Sequence, residues 1–295
     1  MTRIDPRRFL VRPHRRVNLS RFDPRDTSPL KSRKKGRALL RRSQARLSEL
    51  TELMFAQNRW SLLLIFQGMD GAGKDGAIKH VMRGLDPKAT TVHTFGPPSN
   101  GERAHDYMWR CLKELPVRGR IGVFNRSYYE EVLVVRVHPE MLAAEQLPLE
   151  RVTKTIWKDR FEDIRHIERY LCRQGVVIRK FYLNLSKAEQ RRRFLARLDD
   201  PAKNWKFSGN DIAERRKWPA YMKAYGDAIS ATSTKHSPWY IIPADNKWFT
   251  RLAIAEVIIQ ALESLKLHFP PLTRRKRHQL AKARKQLRGL RKSRK

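Results

Sequence analysis

The stretch that most restricts what this chain can fold into is Gln67-Gly68-Met69-Asp70-Gly71-Ala72-Gly73-Lys74-Asp75-Gly76. Ahead of it runs Ser61-Leu62-Leu63-Leu64-Ile65-Phe66, apolar and continuous, as expected of a strand buried on both faces. Behind it, residues 77–82 have helical spacing. Strand, glycine loop and helix, with Gly68-x4-Gly73-Lys74, make the setting of a phosphate-binding P-loop. Glycines let successive N–H groups turn toward one anion. The helix N-terminus adds roughly half a positive charge and Lys74 a whole one. Gly68, Met69, Gly71, Ala72, Gly73 and Asp75 are therefore candidate nucleotide- or phosphate-binding positions. A Ser or Thr ordinarily follows the lysine and holds Mg2+ through its hydroxyl; here Asp75 stands instead. Asp70, inside the loop, is the carboxylate available to Mg2+, which is usually held by one or two carboxylates plus phosphates.

Charge narrows the ligand class. Residues 1–46 carry 16 Lys and Arg against 3 Asp and Glu, and residues 273–295 carry 12 against none. Of the net +35, about +10 remains on residues 47–272, so even the body should attract polyanions. Nucleic acid, an acidic membrane and a phosphate chain all fit that field. No apolar run approaches the ~20 residues of a membrane span. The basic N-terminus lacks the apolar core of a secretory signal. Cys111 and Cys172 are too few for a disulfide framework. These readings lead us to expect a cytoplasmic protein.

The chain divides into a basic N-terminal arm (1–35), a P-loop domain (36–268) and a basic C-terminal tail (273–295). The arm is expected to lie on the body or stay mobile, and the tail to be mobile without a partner. Leu39, Leu40, Leu47, Leu50, Leu53 and Met54 predict an amphipathic helix over 36–57. Strands are expected at 90–95, 120–124, 176–185 and 239–243, with helices at 102–115, 151–174, 187–198, 210–231 and 245–267. Val132–Val137 reads as a helical turn. Ser186 with Glu189 three residues on predicts a capping box, and Asp245 the cap of the last helix. The basic, aromatic-bearing segment 198–231 is expected to form a lid over phosphates. The whole predicts an α/β P-loop three-layer sandwich: a parallel five-stranded sheet, nucleoside monophosphate kinase-like, with a helical lid.

Asn125 ends the third strand where P-loop proteins commonly place a metal-serving carboxylate. Polar side chains at the C-terminal ends of parallel strands are where ligands bind, which adds Arg126, Glu130 and Arg136. A phosphate chain carries about one charge per phosphate, so its site must be a cationic track. Arg136, Arg179, Arg197, Lys203 and Lys206 are candidates for that track.

The P-loop wording, Phe124-Asn125-Arg126-Ser127-Tyr128-Tyr129-Glu130 with Val132-Leu133-Val134-Val135-Arg136-Val137-His138, Asp199-Asp200-Pro201 through Phe207, and Trp239-Tyr240-Ile241-Ile242-Pro243-Ala244-Asp245 with Lys247-Trp248 closely resemble the second family of polyphosphate kinases. The resemblance spans roughly 36–268 and excludes the tail. It implies reversible, Mg2+-dependent phosphoryl transfer from inorganic polyphosphate to a nucleoside mono- or diphosphate. It also implies a dimer or tetramer. By carry-over, Asp70 serves the metal and acceptor phosphate, Lys74 binds phosphate, Arg126 clamps the transferring group, and Glu130 lies on the nucleotide side. Asn125, where some members carry Asp, resembles the subgroup that phosphorylates both AMP and ADP. Two alternatives stand beside this reading. One is an ATP-dependent nucleoside monophosphate kinase. The other is a nucleic-acid-binding P-loop protein, for which nonspecific contact through the tail would suffice.

Overall fold

A computed structural model describes residues 4–290, without the side chains of residues 206, 289 and 290. Five strands, β1 (Ser61–Gln67), β2 (Thr90–Thr94), β3 (Ile121–Asn125), β4 (Val176–Asn184) and β5 (Trp239–Pro243), form one parallel sheet in the order β2-β3-β1-β4-β5. Every residue of β1, β3 and β5 is buried, as a parallel sheet covered on both faces requires. β1 is central, with Phe66 beside Asn125 on one side and Phe181 on the other. The chain therefore switches direction of winding at the C-terminal end of β1, where doubly wound sheets open their binding crevice.

Helices cover both faces. One layer holds α1 (Arg33–Gln57), α2 (Lys74–Val81) and the late α10 (Lys247–Glu263). Between α2 and β3 lie two single turns, α3 (Asn100–Arg103) and α4 (Trp109–Leu112). The other layer holds α5 (Glu130–Val137), α6 (Ile156–Arg173) and α9 (Trp218–Thr232). α7 (Lys187–Leu198) and α8 (Asn210–Arg216) stand over the crevice, and α11 (Arg274–Leu290) closes the described chain. α10 is buried on nearly every side between Phe249 and Leu262, Arg251 and Gln260 excepted, because it lies between the sheet and α1. Among the described residues no helix is long and apolar enough to cross a membrane.

Several expected elements differ, each for a local reason. The 102–115 helix is only α3 and α4, because the Asp106 carboxylate accepts the Met108 N–H at 2.9 Å and turns the chain between them. The 151–174 helix starts at Ile156: Thr153 Oγ1 accepts the Thr155 N–H at 3.2 Å, and Val152 is left exposed. The 210–231 helix is broken into α8 and α9 at Pro219, whose ring cannot continue the preceding turn. α9 buries Tyr221, Ala224, Tyr225, Ala228 and Ile229, so only the segment before it is free of the core. The capping box at Ser186 is half made. Ser186 Oγ accepts the Glu189 N–H at 3.0 Å, but Glu189 turns to Arg192 and Arg193. Asp245 does not cap α10; its carboxylate accepts the Ser186 N–H at 2.8 Å and ties β4 to β5.

The N-terminal arm lies on the body. Ile4, Phe9, Val11 and Leu19 are buried, and the Val11 N–H bonds to Trp239 O at 2.9 Å. The tail, expected to be mobile, is the helix α11 with its described side chains exposed; Ala, Leu, Gln, Lys and Arg are all strong helix formers.

Candidate active site

The loop at the end of β1 takes its shape from glycine. Gly71 (φ 82°) and Gly73 (φ 95°) adopt the left-handed region that a side chain disfavours. Lys74, the first residue of α2, turns its Nζ back onto Gly68 O at 2.7 Å. Burial, and then the charge of Arg126, push the Lys74 amine below its ordinary range. A buried cation resting on a backbone carbonyl is a ready partner for an anion that enters the loop.

Across the crevice, the chain leaving β3 places Arg126 at φ 67°, left-handed and strained for a residue with a Cβ. Its Nη2 lies 2.7 Å from Asp70 Oδ1 and its Nη1 3.2 Å from Glu130 Oε2. Those carboxylates, Glu130 first, hold the guanidinium charge in place. Asn125 donates from Nδ2 to Asp75 Oδ1 at 2.6 Å, while its Oδ1 is buried without a partner among the described residues.

α7 fixes the loop from above. Arg193, 6% exposed, donates to Gly71 O and Ala72 O at 2.9 Å each, to Ala244 O at 2.6 Å and to Asp245 O at 3.1 Å. Gln190 donates to Asp70 O at 2.7 Å. Residues 190, 193 and 197 lie on one helical face, a spacing that would have marked them in the sequence.

Two cavities of opposite character flank the loop. One, of about 290 Å³, is lined by Gly71, Ala72, Gly73 and Asp75 to Ala77, by Arg192, Arg193, Arg197 and Lys203, and by Lys247 and Arg251 of α10. Among the described residues Asp75 is its one carboxylate. The other, of about 430 Å³, holds Asp70, Glu130, Glu140, Asp211 and Glu214 around Arg126 and His138, with Met69, Tyr221 and Tyr225 as apolar walls. Burial and the neighbouring Asp70 raise the Asp211 carboxyl, the mark of an acidic site short of cations. Among the described residues no cluster of three or more His, Cys, Asp or Glu side chains is arranged to hold a metal by itself. Asp70 with Glu130 or Asp211 is nonetheless an all-oxygen set of the kind that binds Mg2+ once phosphate supplies the remaining ligands.

Gly68, Met69, Asp70, Gly71, Ala72, Gly73, Lys74, Asp75, Asn125, Arg126 and Glu130 thus converge, and Arg197 and Lys203 join them in the basic cavity. Two expected cationic-track residues do not. Arg136 pairs with Asp227 of α9 at 2.7 Å, and Arg179 sits in the middle of β4 beside Leu64, away from the strand's C-terminal end. The side chain of Lys206 lies outside the described residues. Lys247 and Arg251 were missed because they open a helix that otherwise reads as pure core.

Comparison with known proteins leads to one family. The model of the polyphosphate kinase 2 (PPK2) family fits residues 30–270. The ADP-polyphosphate phosphotransferase of Rhodopseudomonas palustris is 47% identical over 97% of this chain and 99% of its own length. The AMP/ADP-polyphosphate phosphotransferase of Meiothermus ruber is 40% identical over 90% of this chain and 95% of its own. The crystal structure of polyphosphate kinase 2 from Arthrobacter aurescens TC1 superposes with a TM-score of 0.85 at 36% identity, over 96% of this chain and all of that one. The chain belongs to the polyphosphate kinase 2 family.

Proposed function

We propose that this protein transfers the terminal phosphoryl group of inorganic polyphosphate to ADP or AMP, reversibly and with Mg2+. The observation that carries this reading is the pair of cavities on either side of one P-loop. Among the described residues, six cations against one carboxylate suit a bare polyanion. Five carboxylates suit a phosphate only when a cation accompanies it. The names of the similar transferases from R. palustris and M. ruber support the donor and both acceptors.

In this reading the polyphosphate end enters the basic cavity and meets the N–H groups of Gly71–Lys74. The nucleotide occupies the acidic cavity with its base against the apolar walls. A terminal oxygen of the nucleotide phosphate attacks the end phosphorus of the chain. The new P–O bond forms as the bond to the next phosphate breaks, and the shortened chain leaves with the negative charge. Lys74 and Arg126 reach the equatorial oxygens from opposite sides, where the charge spreads in the transition state. Asp70 would hold Mg2+, which would supply neutralisation of the phosphate charge. Arg126 leaves Asp70 free for that role by turning to phosphate. Arg193 and Gln190 position the loop through its carbonyls.

An ATP-dependent nucleoside monophosphate kinase is the second reading. Asp75 bound to Asn125, in place of a metal-binding hydroxyl, weighs against it. A matrix of polyphosphate or ATP against AMP, ADP, GMP and GDP tests both. Polyphosphate should support nucleotide phosphorylation, and ATP should not replace it as donor to AMP. Faster transfer from ATP to AMP than from polyphosphate would favour the second reading.

A further inference from the structure

The basic cavity does not end the run of cations. α1 and α10 lie side by side and run in the same direction: a Cβ on Gly36 would meet the Trp248 ring at 2.3 Å, and Ser43 Oγ donates to Glu256 at 2.6 Å. The N-terminal end of α1 is thereby brought to the start of α10, where Lys247 and Arg251 line the basic cavity one turn apart. Arg33, Lys34, Arg37 and Arg41 line a further shallow cavity on that end of α1, and all four are exposed. Burial and then the charges of Arg37 and Arg33 lower the Arg251 guanidinium, which shows that the two groups of cations adjoin.

The cluster has no fold-level reason. None of Arg33, Lys34, Arg37, Arg41 and Arg251 makes an ion pair among the described residues, and α1 carries no carboxylate before Glu49. Three cations also occupy the first turn of α1, where the helix dipole is itself positive and favours acidic side chains. Cations placed against both the dipole and each other mark a surface shaped for an anion. Arg33, Arg37 and Arg41 follow each other at one-turn intervals, a line rising ~12 Å along the helix. A rod of unbroken charge matches that line; a compact phosphate meets one residue of it.

Resting on the polyphosphate reading above, we propose that Arg33, Arg37 and Arg41 form a distal subsite for the donor, holding phosphates of a long chain well behind the one being transferred. The subsite makes the enzyme prefer long chains and keeps a chain bound between successive transfers. Short donors never reach it.

The test is a donor-length series with the full chain and R33Q/R37Q/R41Q, using tripolyphosphate and long-chain polyphosphate with ADP and Mg2+. In the native protein KM per chain should fall with chain length. In the triple variant KM for long chains should rise about tenfold, and the slope of log KM against log salt should weaken by ~0.7 per arginine removed. Its kcat, its KM for ADP and its kinetics with tripolyphosphate should not change. R33K/R37K/R41K should restore most of the long-chain affinity. Equal KM values for the variant and the native protein on long chains would overturn the proposal, as would an equal loss on tripolyphosphate. Native turnover with tripolyphosphate in either case would leave the activity itself standing.

Discussion

Arg126 reaches across the crevice to Asp70, Nη2 to Oδ1 at 2.7 Å, and joins the loop that ends β1 to the turn that follows β3. In an empty site the two charges satisfy each other. In the proposed reaction both would be needed elsewhere, the cation on phosphate and the carboxylate on metal. On that proposal the ion pair is the resting state of the two groups. R126A should lower kcat on the order of 10²-fold or more, as loss of a transition-state contact does, with a smaller change in KM for the nucleotide. Because Arg126 is left-handed, R126G should be the more stable of the two variants, by ~1 kcal/mol. Initial rates and thermal melts of both check this; equal melts would argue that the backbone carries no strain.

Lys74 is buried with its amine depressed below the usual lysine range. Only the ammonium form supports an entering phosphate, so kcat/KM for polyphosphate should fall with rising pH at a lower pH than an ordinary lysine would give. Bound polyanion raises the amine again, and kcat should hold to higher pH than kcat/KM. K74A should reduce turnover on the order of 10²-fold or more. A folded lysine with a lowered pKa holds fewer protons than its unfolded form, so it destabilises the apo fold at neutral pH and ceases to do so as pH rises toward the unfolded value. K74M should therefore melt no lower than the native protein at pH 7 while being inactive.

Glu131, buried beside Arg110, has its carboxyl raised to about 7, first by burial and then by Glu145. Its folded form binds a proton more tightly than its unfolded form, so its share of stability is present at acidic pH and is lost as pH rises through about 7. E131Q should raise the melting temperature at pH 8 and change it little at pH 5, by an upper bound on the order of 3 kcal/mol. Melts of both proteins across that range measure the difference.

Lys180 and Glu168 are both fully buried and joined at 2.5 Å, and Glu168 also accepts from Tyr128, Tyr129 and Ser237. Tyr128 and Tyr129 lie between Arg126 and Glu130, so this network anchors the site's far wall. K180M leaves a buried unpaired carboxylate and should cost ~3–5 kcal/mol. K180M/E168L removes both charges and should recover much of that loss. Denaturant titrations of the three proteins decide it.

β1 and β5 were legible because they are short apolar runs, and β4 because apolar residues flank its Arg179-Lys180 pair. The P-loop was legible because glycine and lysine spacing states its chemistry directly. α7 was legible because Ser186 caps it. Helix breaks were not: those at Asp106 and Thr153 come from side chains bonding their own backbone, which competes with a good helical pattern. Within Arg191-Arg192-Arg193 the sequence offers three equal cations. Only the phase of α7 against the loop makes Arg193 the one that holds it. Arg136 looked available because its partner Asp227 lies 91 residues away.

The proposed reaction is direct transfer across one loop, from an inorganic chain to a nucleotide. Polyphosphate labelled in its phosphorus, given with unlabelled ADP and Mg2+, tests it most directly. Label should enter the γ-phosphate of ATP from the first turnover, one label for each phosphate lost from the chain, with no free phosphate ahead of it. Label appearing as free phosphate, or ATP formed without label, would contradict it.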